Sequence, residues 1–101
     1  MDNKNEILQY LNDNKMYFKN KYFVERIALI GSFARDEQTD VSDIDLLIYF
    51  MPEANEHRIF RLYLGLQEEM EKSSGKKIDI IVNGKTLPAF KEIIQEEAIY
   101  V

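Results

Sequence analysis

The sequence predicts an α/β chain in the order helix, strand, short helix, strand, helix, strand, helix. Three observations carry that prediction. Apolar residues recur at spacings of three and four in some segments, run continuously or alternate in others, and glycine or proline punctuates the joins.

Asn3 followed by Glu6 has the form of a capping box, and Ile7, Leu8, Leu11 and Phe18 then repeat at about helical spacing, so the chain opens with a helix. Asn12, Asp13 and Asn14 mark its expected end. Residues 23–30 are rich in Val, Ile and Leu and stop at Gly31, which predicts a buried first strand. Residues 32–35 begin a short helix, the polar stretch 36–42 is a loop, and residues 43–50 form a second strand closed by Pro52. Ile59, Leu62, Leu66 and Met70, with Tyr63 beside them, form the core stripe of a long helix that Ser73, Ser74 and Gly75 end. Residues 77–82 make a third strand, with Ile78, Ile80 and Val82 on one face and Asp79 and Ile81 on the other. Asn83 and Gly84 turn the chain, Pro88 suits a first helical turn, and Phe90, Ile93 and Ile94 mark a last short helix. The apolar tail 98–101 is expected to pack back onto the core, with contact to a partner as its other use.

At 101 residues and 46% apolar composition the chain has the material for one core, and without repeat or linker it reads as one domain over residues 1–101. There is no cysteine, which excludes a disulfide framework and thiolate metal sites and suits a reducing cytoplasm. With His57 the only histidine, and placed among polar neighbours at a helix start, any metal is expected to be a hard, oxygen-bound ion such as magnesium. No segment approaches the roughly twenty apolar residues that span a bilayer. The net charge is −5 and no cluster of Lys and Arg forms a phosphate-backbone footprint, which argues against long nucleic acid as the main partner. Lys76 and Lys77 follow the long helix and complement its C-terminal dipole.

Chemistry concentrates in a few residues. On a strand, Asp43 and Asp45 project from the same face, where two carboxylates repel unless a cation lies between them. The bland use of such a pair is a solvated face at a sheet edge. Gly31 between strand and helix allows a tight turn that leaves N–H groups facing an anion, and the Ser32 hydroxyl adds a donor, although serine there also suits a helix cap. Arg35, one helical turn on, can reach a phosphate or an active-site carboxylate, or pair with Asp36 or Glu37. Asp79 on the third strand would complete a second metal position. Together these features suit phosphoryl or nucleotidyl transfer, in which positioning and charge neutralisation supply most of the rate.

Gly31, Ser32, ten intervening residues, Asp43, any residue and Asp45 resemble the signature of the DNA polymerase beta-like nucleotidyltransferase superfamily. The fuller run Gly31, Ser32, Phe33, Ala34, Arg35, then Ser42, Asp43, Ile44, Asp45, Leu46 resembles its minimal nucleotidyltransferase (MNT) family over essentially the whole chain. The resemblance implies a small mixed β-sheet flanked by helices. It also implies Gly31 and Ser32 at the nucleotide phosphates, Asp43 and Asp45 as magnesium ligands, and Asp79 as the third carboxylate, around two metal ions. Many such proteins are antitoxins encoded beside a HEPN ribonuclease toxin, and the implied activity is transfer of AMP from ATP to a tyrosine of that toxin. The alternatives are a non-catalytic module that masks the toxin's active site, and a transferase acting on a small molecule or an RNA end. One departure stands out: where the family often has glycine after Arg35, this chain has Asp36.

Overall fold

The computed structural model describes residues 1–101. Its elements are α1 (Lys4–Tyr22), β1 (Val24–Ile30), α2 (Gly31–Ala34), β2 (Ile44–Phe50), α3 (Glu56–Ser74), β3 (Ile78–Val82), α4 (Pro88–Glu97) and β4 (Ile99–Tyr100). The strands form one mixed sheet in the order β3-β2-β1-β4, in which β1 runs antiparallel to β2 and β4 while β2 and β3 are parallel. A parallel pair needs a crossover, and α3 supplies it. The expected mixed sheet with flanking helices is therefore present, extended by β4 beyond the predicted final helix.

Alternation along the strands sorts the side chains onto two faces. Ile27, Leu29, Ile44, Leu46, Ile48 and Ile78 meet Ile7, Leu11 and Phe18 of α1 and Leu66 and Met70 of α3 in the main core. Each such burial stabilises by about 1.5–3 kcal/mol. Ala28, Ile30 and Leu47 point the other way, toward Ile94 and Ala98. No polar or charged residue is fully buried on either side.

The capping box forms as expected. The Asn3 side chain accepts from the Glu6 N–H, and its amide donates to the Glu6 carboxylate at 2.8 Å. The helix does not stop at Asn12–Asn14 but continues to Tyr22, because Phe18 and Tyr22 carry the buried stripe two turns further. The polar trio is accommodated within the helix: Gln9 donates to Asp13 and the Asn14 amide donates to the Tyr10 carbonyl. Phe23, expected in the strand, is instead the left-handed cap of α1 at φ 60, its N–H returning to the Lys19 and Phe18 carbonyls. In α3, Asn55 caps the start and Gly75 at φ 69 ends the helix. Leu66 and Met70 are buried, and Ile59, Leu62 and Tyr63 pack against the core. Nearby His57 is exposed.

The last helix departs from this pattern. Pro88 begins it as expected, yet no residue of α4 is fully buried, and Leu87, Phe90 and Ile93 are 66%, 49% and 55% exposed. Beyond it the apolar tail packs back: Ile99 and Tyr100 pair with Leu29 and Ala28, and the Val101 N–H donates to the Ile27 carbonyl.

Candidate active site

Sheet register assembles the site. Because β1 runs antiparallel to β2, its last residue lies beside the start of β2, where Ile30 pairs with Asp45. On the other side the parallel β3 begins at the same level, so Asp45 pairs with Asp79. Gly31, Asp45 and Asp79 are thereby placed in a row across three adjacent strand ends, although the sequence separates them widely.

Gly31 is required there for two reasons. Its φ of +77 lies in the left-handed region that side chains disfavour, and a Cβ would strike the Asp45 carboxylate, with the nearest side-chain carbons at 3.0 Å. Asp36, the departure from the family pattern, also has a positive φ, 58, so it adopts the conformation that glycine serves, which aspartate tolerates better than most residues. Its carboxylate accepts from Lys4 at 2.8 Å.

Asp45 is the electrostatic centre of the row. Burial is the largest influence on it, followed by the charges of Asp79, Asp43 and Glu97, and together they push its carboxyl up to about 6 against the opposing pull of Arg35. Asp43 stands just before β2, partly exposed, with the Lys77 ammonium 3.9 Å from its carboxylate. Lys77 thus sets a positive charge near a candidate metal ligand as well as following α3.

The remaining expected residues settle as follows. Ser32 does not cap α2, whose N-cap is Ile30 without a side-chain bond. Arg35 reaches neither Asp36 nor any of the three candidate aspartates but donates to Glu37 at 3.3 Å and to Glu97 at 2.7 Å.

Glu97 was not legible in the sequence. It is the last residue of α4, only 13% exposed, and its two oxygens divide between the Gly31 N–H at 2.9 Å and the Arg35 guanidinium. A carboxylate thus holds the backbone donor and the cation expected to face phosphate. No local pattern marks it, since the contact joins residues 66 apart in the chain.

The donor set has the chemistry of a magnesium site, hard carboxylate oxygens whose mutual repulsion a divalent cation would relieve. As the side chains stand, no three carboxylates converge on one point. Asp45 and Asp79 are in register, and Asp43 would have to turn from Lys77 to join them.

Comparison with known proteins adds independent support. The model of the nucleotidyltransferase domain family matches residues 8–101. A candidate protein adenylyltransferase of Methanocaldococcus jannaschii is 43% identical over 103 residues, spanning 100% of both chains. The protein adenylyltransferase MntA of Thermococcus cleftensis is 25% identical over 96 residues, covering 95% of this chain and 93% of its own. Among solved structures, a candidate minimal nucleotidyltransferase superposes with a TM-score of 0.73 at 28% identity, covering 93% of this chain and 92% of that one. A chain from a toxin–antitoxin crystal structure with AMP-PNP shares the fold at a TM-score of 0.62 and 17% identity, covering 97% of this chain and 71% of that one. Matching from residue 8 to residue 101, the family model takes in the glycine turn and all three aspartates, and the chain therefore belongs to the nucleotidyltransferase family, in its minimal form, as an enzyme of that class.

Proposed function

We propose that this enzyme is an antitoxin that transfers AMP from ATP, with magnesium, to a tyrosine hydroxyl of a HEPN-type ribonuclease toxin and releases pyrophosphate. The observation that carries this is the row Gly31, Asp45 and Asp79 across adjacent strand ends, which sets a glycine turn beside two carboxylates. Asp43, Asp45 and Asp79 would hold two magnesium ions, which when bound neutralise the phosphates and lower the acceptor's pKa. Glu97 releases both the Gly31 N–H and Arg35, so that Gly31 and Ser32 hold the β- and γ-phosphates and Arg35 pairs with them. The tyrosine oxygen attacks the α-phosphorus in line, the bond to the bridging oxygen of the β-phosphate breaks, and pyrophosphate departs with that electron pair. Asp79 takes the tyrosine proton.

A protein acceptor suits the position of Asp79. It lies on β3, an edge strand that no further strand pairs, so a bulky partner can approach without displacing a strand. Relatives named as protein adenylyltransferases, and fold neighbours that are toxin–antitoxin structures, support the same reading.

The test is incubation with labelled ATP, magnesium and the product of the neighbouring gene, repeated with Asp43→Ala and Asp45→Ala. Label on a tyrosine of that product, lost in both variants, is the expected result. Protection of cells by the double variant without any transfer would instead establish neutralisation by masking.

A further inference from the structure

The sheet face that carries Asp45 and Asp79 continues past them under α4. Leu47 and Ile81 follow two residues later on the same strands, paired in register, about 7 Å further along. They floor a cavity of about 180 Å³, closed from the helix side by Ile94. The Tyr49 ring adds a further apolar wall, and the rest of the lining is polar, with Asn83, Thr86, Lys91 and Gln95 around the edge. Asn83 is held in place, since its Oδ1 accepts from the Phe50 N–H at 2.8 Å, which leaves its amide N–H groups to donate elsewhere.

The geometry points to a nucleobase pocket: a purine of the donor triphosphate lies on Leu47 and Ile81 beneath α4, its edge bonded by Asn83 and Gln95. This rests on the nucleotidyl-transfer reading of the three aspartates. A flat ring joined through its sugar to a phosphate at Asp45 reaches a floor one side-chain repeat away. An apolar floor with a few fixed polar groups at the edge is the usual form of a small-molecule site. An acceptor tyrosine fits less well. Its one polar atom must stand at the phosphorus, so the ring would leave the polar edge of the cavity unbonded. A mere packing gap under a loosely seated helix would be expected to be lined by apolar groups, as dry voids are.

Calorimetric binding with magnesium tests the proposal, using ATP, CTP and inorganic tripolyphosphate against the wild type, Ile81→Phe and Gln95→Ala. Ile81→Phe fills the floor, and Gln95→Ala, on an exposed helical position, leaves the fold intact if the first variant does not. The wild type should bind ATP at least about tenfold more tightly than CTP or tripolyphosphate, the low end of what one lost pocket contact costs a ligand. Ile81→Phe should erase that advantage and leave tripolyphosphate within about twofold of its wild-type affinity, and Gln95→Ala should narrow the ATP-to-CTP ratio several-fold. Equal binding of all three ligands by the wild type, or variants that leave every affinity unchanged, would overturn the pocket while tripolyphosphate binding upholds the parent reading. Unchanged ATP affinity with a raised KM for the protein acceptor would give the cavity to the acceptor instead. Binding of none of the three ligands would overturn both.

Discussion

Asp45 combines a proposed role as metal ligand with an electrostatic penalty. Its carboxyl, normally near 3.8, is raised to about 6 by burial and by Asp79, Asp43 and Glu97. A carboxyl raised in the folded state favours the native protein while it is protonated, so the benefit is complete below about pH 4 and is lost as pH rises through 6. Asp45→Asn, permanently neutral, should abolish transfer and yet raise the melting temperature of the metal-free protein at pH 7.5. Because Asp45 keeps some contact with solvent, screening reduces the gain to about 1 kcal/mol, or about 5 °C for a chain of this size. Thermal melts from pH 4 to 8 should show that gain growing between pH 4 and 7 and then levelling; a flat or negative difference would remove the electrostatic account of the site. Gly31→Ala should cost about 1–2 kcal/mol from the left-handed backbone alone. It should also displace Asp45 and abolish transfer, and wild-type activity in this variant would exclude the close approach of Gly31 to Asp45. These residues were legible because their relations are local: Gly31 ends one strand, and Asp43 and Asp45 open the next at alternating positions. Asp79 was legible only through its strand, and Glu97 not at all, because nothing short of the folded helix brings it to Gly31.

At the scale of elements, two attachments differ in kind. The α1–α3 seam is pinned by Glu69, which accepts from the Tyr22 hydroxyl at 2.7 Å, the Tyr17 hydroxyl at 2.9 Å and the Lys21 ammonium at 3.0 Å. Glu69→Ala leaves the hydroxyl of largely buried Tyr22 without its partner, a loss of about 2 kcal/mol and so about 10 °C in melting temperature. Transfer activity at 20 °C should be unchanged, since the pin lies on the face of the sheet opposite the aspartates. Helix α4, by contrast, buries no side chain fully and is held at its end by Glu97. Glu97→Ala should speed amide exchange along α4 at least about tenfold with little change in the global melt, because local opening and global unfolding are separate equilibria. No change across the helix would show that Ile94 and Ala98 seat it unaided. The sequence placed both helices but not these differences. Asn12, Asp13 and Asn14 suggested an end to α1, where the apolar stripe through Phe18 and Tyr22 overrode their weak propensities. The apolar residues Phe90 and Ile93 gave the period of α4, and period alone does not say whether a face is covered.

For the molecule as a whole, the order of strands was the part that no local pattern carried, because pairing joins segments far apart in the chain and a two-residue strand is too short to show alternation. That strand, β4, closes one edge of the sheet. It pairs with Ala28 and Leu29, and the Val101 N–H bonds the Ile27 carbonyl. Tyr100 also lies under the Arg26 guanidinium at 4.3 Å, with Tyr49 on the next strand at 5.3 Å, so one cation links rings from β2 and β4. Removing residues 98–101 should therefore cost two or three backbone hydrogen bonds at about 1 kcal/mol each. The lost cation–π contact adds about 0.5–1 kcal/mol. The sum, about 3 kcal/mol, is a large share of the 5–15 kcal/mol typical of whole domains, and it corresponds to a fall of about 15 °C in melting temperature. The same deletion bares β1, whose unpaired backbone groups then form an edge able to pair with another chain. Light scattering coupled to size exclusion should accordingly find the full chain at a constant mass and the shortened chain growing in mass with concentration. A shortened chain that melts within a few degrees of the full one, with no such growth, would mean that β4 neither stabilises the sheet nor guards its edge.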